Sequence, residues 1–347
     1  MAIDLPVRPV RGGRSTVARR LVAGVLPLMV APLLAACSHA AGGSGAAHLA
    51  WVATDASVTV PGVGLTPVDM RSGMVEAKVP VGSLPSAMAF TKGGAGLLVV
   101  TQGDDTLHEI DPATRAVVRS VVVGVEPDAV AVAPGGTGGR GVALVANLDS
   151  NSVTPVDLGT WRAGAAIAVG TKPVAIAVTV TSTKSATALV VDFGSNQVTP
   201  IDVSTLQAGA PISVGLSPGA IGVASGEALV GNFGDHTLTA IDLASLQPSA
   251  AVALPVDPTG IAVTPSGAMA YITGGASIVP LTVTGLVVGT PINLPDVAEA
   301  LALDAASTTV WVALQGGSLV PVSLPAGTVG HRIRLGGHPS AVVISHG

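Results

Sequence analysis

The chain has 347 residues, with 16 Lys and Arg against 21 Asp and Glu, a formal net charge of −5. Its one cysteine excludes an internal disulfide, so any fold must rest on packing. The acidic balance argues against nucleic acid as the natural partner, because affinity there comes largely from Lys and Arg on phosphate.

Residues 1–36 read as a leader rather than part of the fold. Arg8, Arg11, Arg14, Arg19 and Arg20 make a basic start, and Leu21 to Ala36 is an apolar run. That run is short and is broken by Pro27 and Pro32, which disfavours a spanning helix. It closes with Leu34-Ala35-Ala36-Cys37, which resembles a bacterial lipoprotein lipobox. The resemblance implies that Cys37 is lipidated and becomes the new N-terminus; a chance cysteine after an ordinary cleavable signal is the bland alternative. Arg19-Arg20 stands in a context that fits twin-arginine export poorly, and the export route stays open. Residues 37–48 are small and Gly-rich, the composition of a tether. Without residues 1–36 the chain carries 11 basic and 20 acidic residues, a net of −9.

From Leu49 onward the chain repeats. An acidic residue closes an apolar run at Asp69, Asp111, Asp157, Asp202 and Asp242, with Thr282 and Ser323 in the same place. A proline opens the next run at Pro85, Pro127, Pro173, Pro218, Pro258 and Pro339, with Ala298 as the one substitute. Each second anchor lies 16 residues after its first, and copies are 40 to 46 residues apart. Four short β-rich runs in about 40–45 residues make a propeller blade. After each proline, small residues (Ala87 and Ala89, Ala175 and Ala177) alternate with bulky ones (Met88 and Phe90, Ile176 and Val178). Alternate residues of a strand face opposite ways. One smooth and one knobbed face suit the crowded hub, so this run is strand a, the innermost.

The chain starts in mid-blade. Ala50 to Ala53 matches strand b, Leu65 to Asp69 strand c and Glu76 to Val81 strand d. Pro339 to Ile344 is a strand a with nothing after it. The partial blades complete each other. The expected fold is therefore all-β: a seven-bladed propeller of four-stranded antiparallel blades over residues 49–347, closed by the N-terminal strands b–d against the C-terminal strand a. The longest a–b connections are Gly135 to Gly141 and Thr179 to Ala186, and Asp55 to Gly64 is a long b–c loop.

Several motifs have plain structural readings. The five repeated Asp residues each precede a Ser or Thr by three positions, which suits a turn in which Asp caps backbone N–H groups. Asn147, Asp192 and Asn232 end strand b and read as hairpin residues. Gly136 to Gly141 matches a dinucleotide-type glycine spacing, but a strand follows it, not a helix. His108 and His236 lie in different blades without ligand spacing and read as surface residues. The repeated Ala-Leu-Val-x-Asn/Asp followed by Val/Leu-Thr-x-Ile/Val-Asp is similar to the YVTN family of β-propeller repeats, across essentially residues 49–347. Of the family's aromatic, only Tyr271 and Trp311 remain. The resemblance implies fold rather than activity, since the family includes surface proteins, binding modules, lactonases and haem-carrying relatives.

One set of residues points to a site. The d–a turns bring Glu126, Asp128, Lys172, Asp257, Asp296, Glu299 and His338 to one end of the hub. A solvated polar rim is one reading; a ligand or cation site at the mouth of the axial channel is the other, with acid and histidine able to hold an ion or move a proton. The sequence assigns no catalytic residue, no metal ligand and no cofactor. The expectation is an exported protein, lipid-anchored on the outer side of a bacterial cytoplasmic membrane or at the cell surface. It would act as a binding or scaffold module for a small molecule, ion or cell-envelope protein. The alternative is a lactonase-like hydrolase or lyase using the same rim.

Overall fold

The structure, a computed structural model, describes residues 48–55, 64–180 and 186–345. Within them the chain forms seven antiparallel sheets. Their innermost strands are Pro85–Phe90, Pro127–Ala133, Pro173–Val180, Pro218–Val223, Gly260–Val263, Ala298–Leu303 and His338–Ile344. We number the blades 1 to 7 in that order. Each innermost strand touches the one before and the one after it, and the strand of blade 7 touches that of blade 1, so the ring closes in sequence order. This is the seven-bladed propeller expected from the repeat.

Closure is made in blade 7. Its strand a, His338–Ile344, pairs with Leu49–Asp55, which pairs with Gly64–Asp69. Trp51 stands opposite Val343 and is fully buried. The expected strand d of this blade, Glu76 to Val81, does not form as a strand. Only two bridges survive, Val68 with Val75 and Leu65 with Val79. Pro67 in strand c has no N–H to offer, and Pro80 in the outer run has none either.

The same cause shapes the other outer strands. The position two before the closing residue of strand c is Pro155, Pro200, Pro280 or Pro321 in blades 2, 3, 5 and 6. In each, strand d is split into two pieces, for example Gln207–Ala208 and Ile212–Ser213, both paired to Gln197–Asp202. A glycine bridges the gap in all four, and its N–H donates to the proline carbonyl: Gly164 to Pro155 and Gly209 to Pro200 at 2.7 Å, Gly289 to Pro280 and Gly330 to Pro321 at 2.8 Å. A Cβ on Gly330 would come within 2.8 Å of the Pro321 ring. Absence of the proline does not by itself restore the ladder: Ala240 holds that place in blade 4, where strand d pairs only at Val252–Ala253 and through the Ile241–Pro248 bridge, with the Ser249 N–H donating to the Ala240 carbonyl. Glu109 holds that place in blade 1, and strand d runs unbroken over Ala116–Val122.

Between blades the small and bulky faces interlock. A Cβ on Gly222 of blade 4 would lie 2.8 Å from Ile261 and Val263 of blade 5. The c–d turns are uniform. The fourth residue after each closing position has positive φ: Gly73, Arg115, Trp161, Leu206, Leu246, Leu286 and Gly327. Asp69, Asp111, Asp157, Asp202 and Asp242 each accept two backbone N–H bonds in that turn, such as Ser204 and Thr205 to Asp202 at 2.7 and 3.1 Å. Hydroxyl donation from Ser204 and Ser245, foremost at Asp202 and Asp242, and these backbone bonds favour the ionised carboxylate and hold all five below the ordinary Asp range. They are structural caps, as their spacing implied.

Candidate functional site

In these blades strand a runs from the d–a turn to the a–b turn, so the d–a and b–c turns share one end of the ring and the a–b and c–d turns the other. At the d–a end, backbone N–H groups of the turns are held by side chains from both blades they join. The turn before blade 2 shows the scheme. Gly124 donates to Asn147 Oδ1 (3.1 Å) and Val125 to Ser150 Oγ (2.8 Å), both of blade 2, while Glu126 donates to Asp105 Oδ1 (2.8 Å) of blade 1. The turn before blade 4 repeats it with Asn232, Asp235 and Asn196. Asp105, Asn151 and Asn196 hold left-handed backbone, which Asn and Asp tolerate.

Asn147, Asp192 and Asn232 are thus more than hairpin residues. All three are fully buried. Asn147 and Asn232 donate on to Thr154 and Thr239 at 2.9 Å. Asp192 accepts from Thr199 (2.6 Å) through Oδ2, while its Oδ1 finds no donor in hydrogen-bonding geometry. Burial raises its pKa to about 6, against the opposing pull of Thr199 and, more weakly, of the nearby Gly170 N–H and Gln197 side chain. The sequence could not show this clamp, because the partners lie some twenty residues away, in another turn.

The seven rim residues fall into smaller groups. Asp128 is buried, takes a 2.7 Å bond from Gln102 Nε2, and is pushed up to about 8 by burial and then by Glu126. Glu299 and His338 stand 3.9 Å apart across the blade 6–7 boundary. Asp257 meets a residue outside the set, His236 Nδ1, at 2.7 Å. His236 occupies the left-handed position held elsewhere by Asp105, Asn151 and Asn196 and reaches a side chain instead of a backbone N–H. Asp296 caps Val297 and Gly316 N–H groups, a turn role. Lys172 is exposed, its N–H bonded to Asn151. His108 corrects the surface reading: it is buried, bonded to Thr101 (3.1 Å) and Ser120 (2.8 Å), and burial lowers its pKa despite Asp104. Cys37 lies outside the described residues. Among the described residues, no three His, Cys, Asp or Glu side chains gather as a metal cluster.

A second pattern emerges at the first position after each proline. Around the ring it reads Ser86, Asp128, Val174, Gly219, Thr259, Glu299 and Ser340. In most blades a β-bulge falls at this point of strand a. Five neighbouring blades, 5, 6, 7, 1 and 2, supply oxygen-bearing side chains; blades 3 and 4 supply Val174 and Gly219. The three hydroxyls donate to backbone carbonyls: Ser86 to Pro127 (2.7 Å), Ser340 to Pro85 (2.6 Å) and Thr259 to Thr273 (3.2 Å). With their protons so placed, they offer lone pairs.

The fold defines the class as a seven-bladed β-propeller. No family model matches the chain, and no curated protein matches it in sequence. Solved structures match in shape. A functionally unknown protein from Desulfotomaculum acetoxidans superposes with a TM-score of 0.74 at 14% identity, over 86% of this chain and 99% of that one. The periplasmic gluconolactonase of Pseudomonas aeruginosa gives 0.69 at 16%, over 87% and 99%. A putative 6-phosphogluconolactonase of Bacteroides fragilis gives 0.66 at 16%, over 88% and 100%. At such identities the likeness is one of fold.

Proposed function

We propose that this chain is an exported, lipid-anchored propeller of the cell surface that binds a small cation, organic or inorganic, at the d–a mouth of its axial channel. It serves as a binding or scaffold module rather than an enzyme. The observation that carries the reading is the one-sided arc of Asp128, Ser86, Ser340, Glu299 and Thr259. Two carboxyl groups flank two hydroxyls whose protons are already committed to Pro127 and Pro85, so the arc presents acceptors. Acceptor oxygens suit a hard cation or an ammonium group. Glu126 adds charge beside Asp128. Lys172 and Asp257 stand outside the arc and would meet only a larger ligand.

The pH dependence follows from Asp128. Its carboxyl keeps its proton to about pH 8. A cation that replaces that proton binds more tightly as pH rises through 8. The test is calorimetry with calcium and with spermidine at pH 6 and pH 9, on the parent and on Asp128→Asn/Glu299→Gln. Tighter binding at pH 9 that disappears in the double variant is expected. Binding that ignores both changes, or turnover of a gluconolactone, would sink the reading, the latter in favour of the hydrolase alternative.

A further inference from the structure

The opposite end of the ring carries its own asymmetry. The described chain begins at His48, whose carbonyl accepts from Met70 N–H (3.0 Å) beside the c–d turn of blade 7. The N-terminal segment therefore joins the propeller at the a–b/c–d end, away from the channel mouth. The eleven residues from Cys37 to Ala47 span at most about 40 Å when extended.

Among the described residues, the cations of that end are gathered in the same sector. Arg71 lies in the c–d turn of blade 7, Lys92 in the a–b turn of blade 1, and Arg115 in the c–d turn of blade 1. Arg140 belongs to the a–b loop of blade 2 and Arg162 to its outer strand. In blades 3 to 6, the described residues of this end include Asp202, Glu227, Asp242 and Asp304 and no Lys or Arg, whereas in blades 7, 1 and 2 the turn carboxylates Asp69, Asp111 and Asp157 stand among these cations. Arg115 pairs with Glu76 and Arg140 with Glu109, but Arg71, Lys92 and Arg162 have no carboxylate at ion-pair distance and are exposed. Apolar side chains stand among them. Met74 is 66% exposed, Val118 58%, Val117 41% and Val75 40%. In a chain of net acidic charge, this combination is local to one sector.

We infer that the a–b/c–d end of blades 7, 1 and 2 lies on an anionic phospholipid surface, with the channel mouth turned away from it. The inference rests on the lipid anchor proposed above. Three features converge on this occupant: exposed cations complement anionic headgroups, exposed Met and Val suit the interfacial layer, and the anchor-bearing segment leaves from the same end. A lipid chain with a basic patch holds a protein more firmly than either alone. The tether also keeps the patch at high local concentration near the bilayer.

The test is hydrogen exchange on the full-length protein in nanodiscs of phosphatidylcholine, with and without phosphatidylglycerol. Cations near such a surface contribute about a fivefold effect each. Phosphatidylglycerol should therefore slow exchange at residues 71–75 and 92–95 about fivefold, and leave the d–a turns at 123–126 and 214–217 unchanged. The variant Arg71→Glu/Lys92→Glu/Arg162→Glu, checked for an unchanged melting temperature, should lose the difference. No lipid dependence, slowing at the d–a turns instead, or a difference that survives the triple variant would overturn the inference; an acidic protein as the true partner gives the first of these. Intact mass in the same samples tests the anchor separately. An acyl mass on Cys37 without lipid dependence leaves the anchor and removes the docking face. Lipid-dependent slowing without acyl mass does the reverse.

Discussion

Asp192 stands where two sister blades place asparagine, and its surroundings suit asparagine better. Asn147 and Asn232 each receive a turn N–H and pass a proton on to a threonine. Asp192 has no proton to pass on once ionised, and one of its buried oxygens lacks a donor. Its folded pKa of about 6 lies well above the ordinary Asp range. The folded state thus holds a proton that the unfolded chain has released, so stability falls as pH rises from about 4 through 6. Asp192→Asn should remove that loss. We expect a gain of roughly 1–3 kcal/mol at pH 8 that shrinks towards pH 4, read by urea unfolding. A destabilised variant at pH 8 would show that the carboxylate is held by more than the described bonds. The five turn Asp residues were legible in the sequence because their partners are two and three positions away. The buried trio was not, since its partners come from a different turn. Nor was the pairing of Asp257 with His236, which spans a blade boundary.

At the scale of the element, the residue two before the end of strand c tracks how far the outer strand pairs in every blade but the fourth, where strand d is interrupted opposite Ala240. Four prolines accompany a split, and Glu109 an unbroken strand. Pro67 and Pro80 could have warned against a full strand d in blade 7, had the absence of their N–H groups been weighed against the apolar pattern. Glu109 brings a charge into the blade, and its side chain is 6% exposed. It is matched by Arg119, directly opposite in strand d, and by Arg140 from the next blade. The Arg119 guanidinium also lies 4.6 Å from the centre of the Trp161 ring. Removing one partner of a buried pair leaves the other charge stranded, typically at 3–5 kcal/mol. Arg140 softens that here, so Arg119→Ala should cost about 2–4 kcal/mol. Arg71→Ala, at an exposed turn, should cost under about 0.5 kcal/mol. Equal effects in thermal melts would mean that the Glu109 cluster does not rivet blades 1 and 2.

For the whole molecule, the number of blades and the manner of closure were readable from spacing alone. Seven anchors gave seven blades, and two incomplete ends pointed to each other. Closure puts Ala50 to Asp55 in the hands of a strand nearly three hundred residues later. Without it, the main-chain edge of Leu49–Asp55, the bulky face of blade 1 at Met88 and the small face of blade 6 at Ala300 and Ala302 would be bare. Deleting residues 338–347 should therefore abolish the single cooperative transition rather than trim it. A truncated protein that melts in one step at the parent temperature would show that the ring does not depend on this strand.

The closing strand also sets a clock. A ribosome adds about 5–20 residues each second. The strand that first leaves it, Leu49–Asp55, must then wait on the order of 15–60 s before its partner exists. Through that interval the blades already made have no ring to belong to, and an apolar edge is open to every neighbouring chain. A polypeptide threaded outward while still unfolded escapes much of that hazard, because its final residues arrive before the first ones have settled. Late completion thus makes the order in which the chain is released, and not only its final packing, a condition for closing the ring.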